Sequence, residues 1–258
     1  MGIFDFLKTQ DSSYKTEIPQ EPKDERKAEC PTCGGTLKKV PGAKTKCPHC
    51  NEFMFVRTTP DNVRLVVTKD KADKIDEQWR IENGTQEAYL AEQKKYKDRK
   101  EVLRKKFGGK EPSEHDVQWS LLNEEILNNA SNAQWGLYRN ARFQMAEIIN
   151  KENKLKDALR MYLGVCYLDL NGASNMPTDE SGNVINDPEF FKPFDPEIKF
   201  LAPGVIDRIQ RILKKLEITR EEVRTIFVDF GNKEQKSTRA PIVPENCFEE
   251  LAAEIWKS

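Results

Sequence analysis

This 258-residue sequence predicts a mainly α fold with a small β domain near its N-terminus. Three observations predict it. Two closely spaced cysteine pairs lie between residues 30 and 50, and three short runs of β-branched or aromatic residues surround and follow them. From about residue 70 onward, apolar residues recur at helical spacing to the end of the chain. Charged residues make up 33% of the chain against 37% hydrophobic, and the mean hydropathy is −0.75. Such a polar chain carries long exposed helices or unstructured stretches. Its formal charge of −1 offers no global attraction to nucleic acid or membrane. No apolar run reaches the length needed to span a bilayer.

Residues 1–28 read as a flexible N-terminal segment and linker. Met1-Gly-Ile-Phe-Asp-Phe-Leu-Lys8 places Ile3, Phe4, Phe6 and Leu7 at helical spacing. It lacks the basic start and apolar run of a secretory signal, and it is too short for firm membrane anchoring. Phe6 stands where a myristoylation pattern has Ser or Thr. Self-docking or disorder is the expectation for it. Residues 9–28 are polar, contain prolines and read as linker.

Residues 29–68 read as a zinc ribbon. Cys30-Pro-Thr-Cys33-Gly and Cys47-Pro-His-Cys50-Asn are separated by thirteen residues, the spacing of a four-cysteine zinc site. Each C-x-x-C turn aims two sulfurs at one point, and Gly34 supplies the permissive backbone for the first. With Cys30, Cys33, Cys47 and Cys50 all ligating one Zn2+, no position remains for substrate, so the ion is structural. Thr36-Leu-Lys-Lys-Val40, Glu52-Phe-Met-Phe-Val56 and Val63-Arg-Leu-Val-Val67 are the strand candidates. So small a sheet depends on the metal for much of its folding energy. Thiols that hold metal need a reducing compartment, which points to the cytoplasm.

Residues 69–258 form the predicted helical domain. Ile75, Trp79, Tyr89, Tyr96, Leu103 and Phe107 follow heptad-like steps until Gly108-Gly109 stops the helix. Ser113-Glu-His-Asp116 opens the next in a capping-box arrangement, with Val117, Leu121, Leu122 and Ile126 on its apolar face. Helices are expected over about 134–150 and 154–169, a long loop over 171–202, and helices over 204–216, 220–230 and 245–257. Thr219 and Glu222 cap the second of these last three, and Gly231 is expected to stop it.

Within this domain, residues 141–169 look like one tetratricopeptide unit. Met145 and Ala146 stand where that family places Leu-Gly, and Ala158 holds its small position, with Tyr162 and Val165 following. A small residue lets two antiparallel helices approach closely. A solenoid needs several units, so an ordinary helical hairpin in a compact all-α domain is the competing architecture.

Charge is unevenly spread. Residues 93–110 carry nine basic residues against Asp98 and Glu101. Lys38, Lys39, Lys44, Lys46, Arg57, Arg64 and Lys69 face only Glu52 and Asp61 in their stretch. Residues 112–258 hold 24 acidic against 18 basic residues. Phosphate contact is the functional reading of the basic regions, with Lys38, Lys39, Lys44, Lys46, Lys94, Lys97 and Lys105 as candidates. A solvated helix face is the plain one.

Catalytic constellations are scarce. His49 lies inside the second cysteine turn and His115 beside a helix start. Asp179-Glu-Ser-Gly-Asn183 suggests a calcium loop, but the required glycine and distal glutamate do not fall in place. Asp187 with Glu197-Ile-Lys199 has a carboxylate–lysine order used by some nucleases, but prolines break the strands that would present it.

With the ribbon, the hairpin and Met161-Tyr-Leu-Gly-Val-Cys-Tyr-Leu-Asp-Leu-Asn-Gly172 together, the chain resembles a loose group of uncharacterised zinc-ribbon proteins of Gram-positive bacteria and their phages. The likeness spans most of residues 29–230. It implies a bacterial or phage cytoplasmic setting and a tetratricopeptide-like helical domain, and it transfers no activity. The function expected is a non-enzymatic, zinc-stabilised adaptor that binds a protein partner. Nucleic-acid binding through the basic ribbon and the 93–110 helix is the alternative. No small-molecule substrate is evident.

Overall fold

The computed structural model describes residues 21–177, 179, 185 and 192–257. The N-terminal motif, most of the 9–28 stretch, Asp187 and most of the 179–183 string lie outside the described residues. What is described is mostly helical: a small strand region carrying the cysteines precedes a helical domain. The chain divides into two compact units, Met1–Gln93 and Lys94–Ser258.

In the first unit, β2 (Thr45–Lys46), β3 (Phe53–Thr58) and β4 (Val63–Val67) run antiparallel, and β1 (Lys23–Asp24) adds in parallel to β4. The spatial order is β1-β4-β3-β2. β1 falls in the stretch expected to be linker. Its backbone is held by Lys23 N–H donating to the Asn62 carbonyl at 2.9 Å and Glu25 N–H donating to that of Arg64 at 3.0 Å. Residues 36–40, expected to be a strand, instead bend round the first cysteine turn. Only Thr36 pairs there, in an isolated bridge to Glu29, while Leu37 N–H donates to the Ala28 carbonyl.

Strand alternation sorts the side chains onto two faces. Met54 and Val66 pack with Cys30, Cys47 and Leu37 on one. Phe55, Leu65 and Val67 meet Ala72, Ile75 and Trp79 of α1 (Lys69–Glu82) on the other. Trp79 Nε1 donates to the Thr58 carbonyl at 2.7 Å, and Arg57 grips Asp76 through two bonds of 2.8 and 3.1 Å. The first helix thus belongs to the β unit, and the division between units falls inside α2 (Gln86–Lys106) rather than at residue 68.

The second unit continues with α3 (Glu114–Ser131), α4 (Trp135–Lys151), α5 (Leu155–Leu170), α6 (Pro203–Leu216), α7 (Arg220–Thr238) and α8 (Pro244–Ile255). Ser113 and Thr219 form capping boxes with Asp116 and Glu222, so both starts are encoded locally. α5 is buried on every side, from Ala158 to Leu170 with few interruptions. A helix apolar all round must be a central one, and α4, α6, α7 and α8 all pack on it. The α4–α5 hairpin therefore forms inside a compact bundle.

α7 runs past its expected stop. Gly231 sits mid-helix, where a Cβ would come within 2.6 Å of Pro244 Cγ. This glycine permits close approach of α8, and the left-handed C-cap is Arg239, at φ 60°.

Candidate functional site

The two cysteine turns share one backbone plan. In the first, Gly34 N–H donates to the Cys30 carbonyl at 2.9 Å; in the second, Asn51 N–H donates to that of Cys47 at 3.0 Å. Gly34 and Asn51 adopt φ of 71° and 61°, the left-handed region that glycine and asparagine enter most readily. The four sulfurs lie within 4.8 Å of one another. Cys30 Sγ is 3.8 Å from Cys50 Sγ, and Cys33 Sγ is 3.8 Å from Cys47 Sγ. Metal–sulfur bonds of about 2.3 Å give a tetrahedron whose edge is about 3.8 Å. The donor set and its spacing fit a metal ion.

Electrostatics suit the same conclusion. Burial raises the Cys30 thiol, but the backbone N–H groups of Cys33 and Thr32, together with hydrogen bonds from the Cys47 and Cys33 thiols, bring the group down to about 6. At Cys50 the Glu52 backbone pulls down, while burial and the three neighbouring sulfurs push the thiol up to about 12. One sulfur ionises readily and another resists, as expected when negative charges crowd together. A cation at the centre removes that conflict.

His49 has a role the sequence did not disclose. Its Nε2 donates to the Thr36 carbonyl at 2.8 Å. Its ring lies so near Gly35 that a Cβ there would fall 2.6 Å from Cδ2. The imidazole thus locks one cysteine turn against the other. A glycine directly after Gly34 was the available signal.

Lys38, Lys39, Lys44 and Lys46 are all exposed. Lys38, Lys39 and Lys46 line a cleft of about 540 Å³ together with Leu37, His49 and Met54. Lys44 and Lys46 also bracket Phe53, with Nζ atoms 4.5 and 5.0 Å from its ring centre. On α2, Lys94, Lys97 and Lys105 are exposed. They alternate with cations already matched: Arg99 with Glu124, Lys100 with Glu111 and Arg104 with Glu101. The single apolar face expected for α2 is incomplete. Leu103 is buried and Tyr96 half-buried, but α2 ends at Lys106, so Phe107 has left the helix and is exposed. The ribbon lysines and those of α2 belong to different units.

In the helical unit, a cleft of about 300 Å³ opens beside the C-terminus of α5. Arg139 and Asp169 line it, joined by two bonds of 2.7 Å. Ile198 and Phe200 form its outer wall and are 61% and 67% exposed. The returning loop that carries them is anchored by Phe194 stacked on Trp135 at 5.3 Å and by Asp195 N–H donating to the Gly172 carbonyl. A Cβ at Gly172 would lie 1.8 Å from the Asp195 carbonyl oxygen, so this crossing requires glycine. None of this was legible in the 171–202 loop as a sequence.

The histidine and lysine considered for catalysis are engaged elsewhere. His115 Nδ1 lies 3.2 Å from Glu152 Oε1, fastening the start of α3 to the end of α4. Lys199 pairs with Glu250 at 2.6 Å. Among the described residues, no helix is long and apolar enough to cross a membrane. No protein-family model, curated protein or solved structure matches this chain.

Proposed function

We propose that this chain is a cytoplasmic, non-enzymatic adaptor, stabilised by one structural zinc ion, that binds a protein partner through its helical unit. Zinc is favoured because four thiolates at tetrahedral spacing suit a closed-shell ion with no further coordination position. A reducing compartment is favoured because the four clustered cysteines must stay reduced to hold a metal. The observation that carries the adaptor reading is the pair Ile198 and Phe200, large apolar side chains standing exposed on the wall of a cleft. Covering such side chains contributes about 1.5–3 kcal/mol each. Aromatic anchors beside a pocket are where binding energy concentrates at interfaces.

Affinity capture from cells that make the protein tests this reading, with wild type and Phe200→Asp compared side by side. A partner retained by wild type and lost by Phe200→Asp, with unchanged melting of the bait, supports it. Identical capture by both baits would contradict it.

A further inference from the structure

We infer that the face of the ribbon sheet centred on Phe53 binds single-stranded nucleic acid, by stacking a base on that ring and pairing its flanking phosphates with Lys44 and Lys46. The register creates this face. Lys46 pairs across the ladder with Phe53, and Lys44, in the bend just before β2, brings its Nζ over the same ring. α1 covers the β4 end of that face over Phe55, Leu65 and Val67. Phe53 lies beyond that cover and is 43% exposed.

An aromatic ring left open to water on a β face is a stacking platform, and flanking lysines supply point charges at phosphate distance from a stacked base. Their ammonium groups now rest near the ring at 4.5 and 5.0 Å. Contacts of this kind at exposed sites are weak, so both lysines are free to exchange the ring for phosphate. Charge complementarity favours an anionic ligand: of the seven cations from Lys38 to Lys69, Arg57 and Lys69 pair with Asp76 and Asp73 of α1, and the other five stand against Glu52 and Asp61. Four thiolates around a divalent ion leave that excess positive. The single strand is favoured over the duplex because a duplex keeps its base faces stacked internally and offers Phe53 nothing to cover. The proposal is independent of the helical cleft and of the protein partner.

The test is fluorescence anisotropy with the full zinc-loaded chain and three probes: labelled oligo-dT, labelled oligo-U and a DNA duplex of mixed sequence. Wild type is expected to bind a single strand more tightly than the duplex, with affinity falling steeply as salt rises. The two single strands show whether DNA or RNA is the better ligand. Phe53→Ala is expected to lower single-strand affinity about tenfold or more, while Phe53→Tyr retains it. Lys44→Ala with Lys46→Ala should flatten the salt dependence by about 0.7 per lysine removed. Zinc content and melting of each variant confirm that the ribbon is intact. No binding of any probe at low salt would overturn the inference, as would equal binding by folded Phe53→Ala. Binding abolished by charge reversal at Lys94, Lys97 and Lys105 but untouched by Phe53→Ala would move the site to α2 and also overturn it.

Discussion

Arg139 and Asp169 are largely buried, with side chains 16% and 10% exposed. Burial is the largest influence on Asp169 and holds its carboxyl above the ordinary value of 3.8, against the pull of Arg139. The folded chain therefore keeps this proton at pH values where the unfolded chain has lost it. Stability from this group is highest below 3.8 and declines as pH rises through the raised value. Arg139→Met leaves the carboxylate buried without its partner and should cost about 3–5 kcal/mol at neutral pH. The cost should shrink toward acid pH, where Asp169 is neutral. Urea titrations at two pH values check both statements, and a pH-independent cost would contradict them. A second buried group makes a similar point. Glu234 is 2% exposed and accepts from the Tyr138 hydroxyl at 2.8 Å and from Arg142. Burial, then the charge of Glu234, pushes Tyr138 up to about 12, so it remains a donor through neutral pH. Tyr138→Phe should cost about 1.5–3 kcal/mol, measured by the same titration.

At the scale of elements, α5 organises the helical unit through its small residues as much as its large ones. Ala158 is fully buried in the same cluster as Met145 and Ala146 of α4. At Gly164 a Cβ would lie 2.2 Å from the Phe230 ring of α7. Ala158→Leu and Gly164→Ala should each overpack the bundle and cost about 1–3 kcal/mol. An unchanged melting midpoint for either would show that its neighbours have room. Elements whose ends are encoded by neighbours in sequence were legible beforehand. The starts of α3 and α7 follow from Ser113 with Asp116 and Thr219 with Glu222, because a capping box needs only four residues. Elements decided by distant neighbours were not. β1 exists because β4 offers its edge, Gly231 serves α8 rather than a helix end, and residues 36–40 are bent by the cysteine turn beside them.

The molecule as a whole is two units of different stability logic. The helical unit buries a continuous core around α5, whereas the ribbon face behind the cysteines has a small cluster, with Cys30, Cys47 and Met54 buried and Leu37, Cys50 and Val66 packed at its margin. So small a cluster buries too little to hold the turns together by itself, and an ion bound by the four sulfurs would supply the missing folding energy. The clustering of Cys30, Cys33, Cys47 and Cys50 was legible because spacing along the chain dictates it. Phe53 and the Ile198–Phe200 wall were not, since exposure is a property of the packed molecule. Metal analysis of wild-type protein and Cys30→Ser, with thermal unfolding of both, tests the central claim most directly. About one zinc per wild-type chain is expected, with loss of metal and of the ribbon transition in Cys30→Ser while the helical unit melts unchanged. Less than about half an equivalent of any metal in carefully handled wild type, or a Cys30→Ser protein that keeps its zinc, would contradict it.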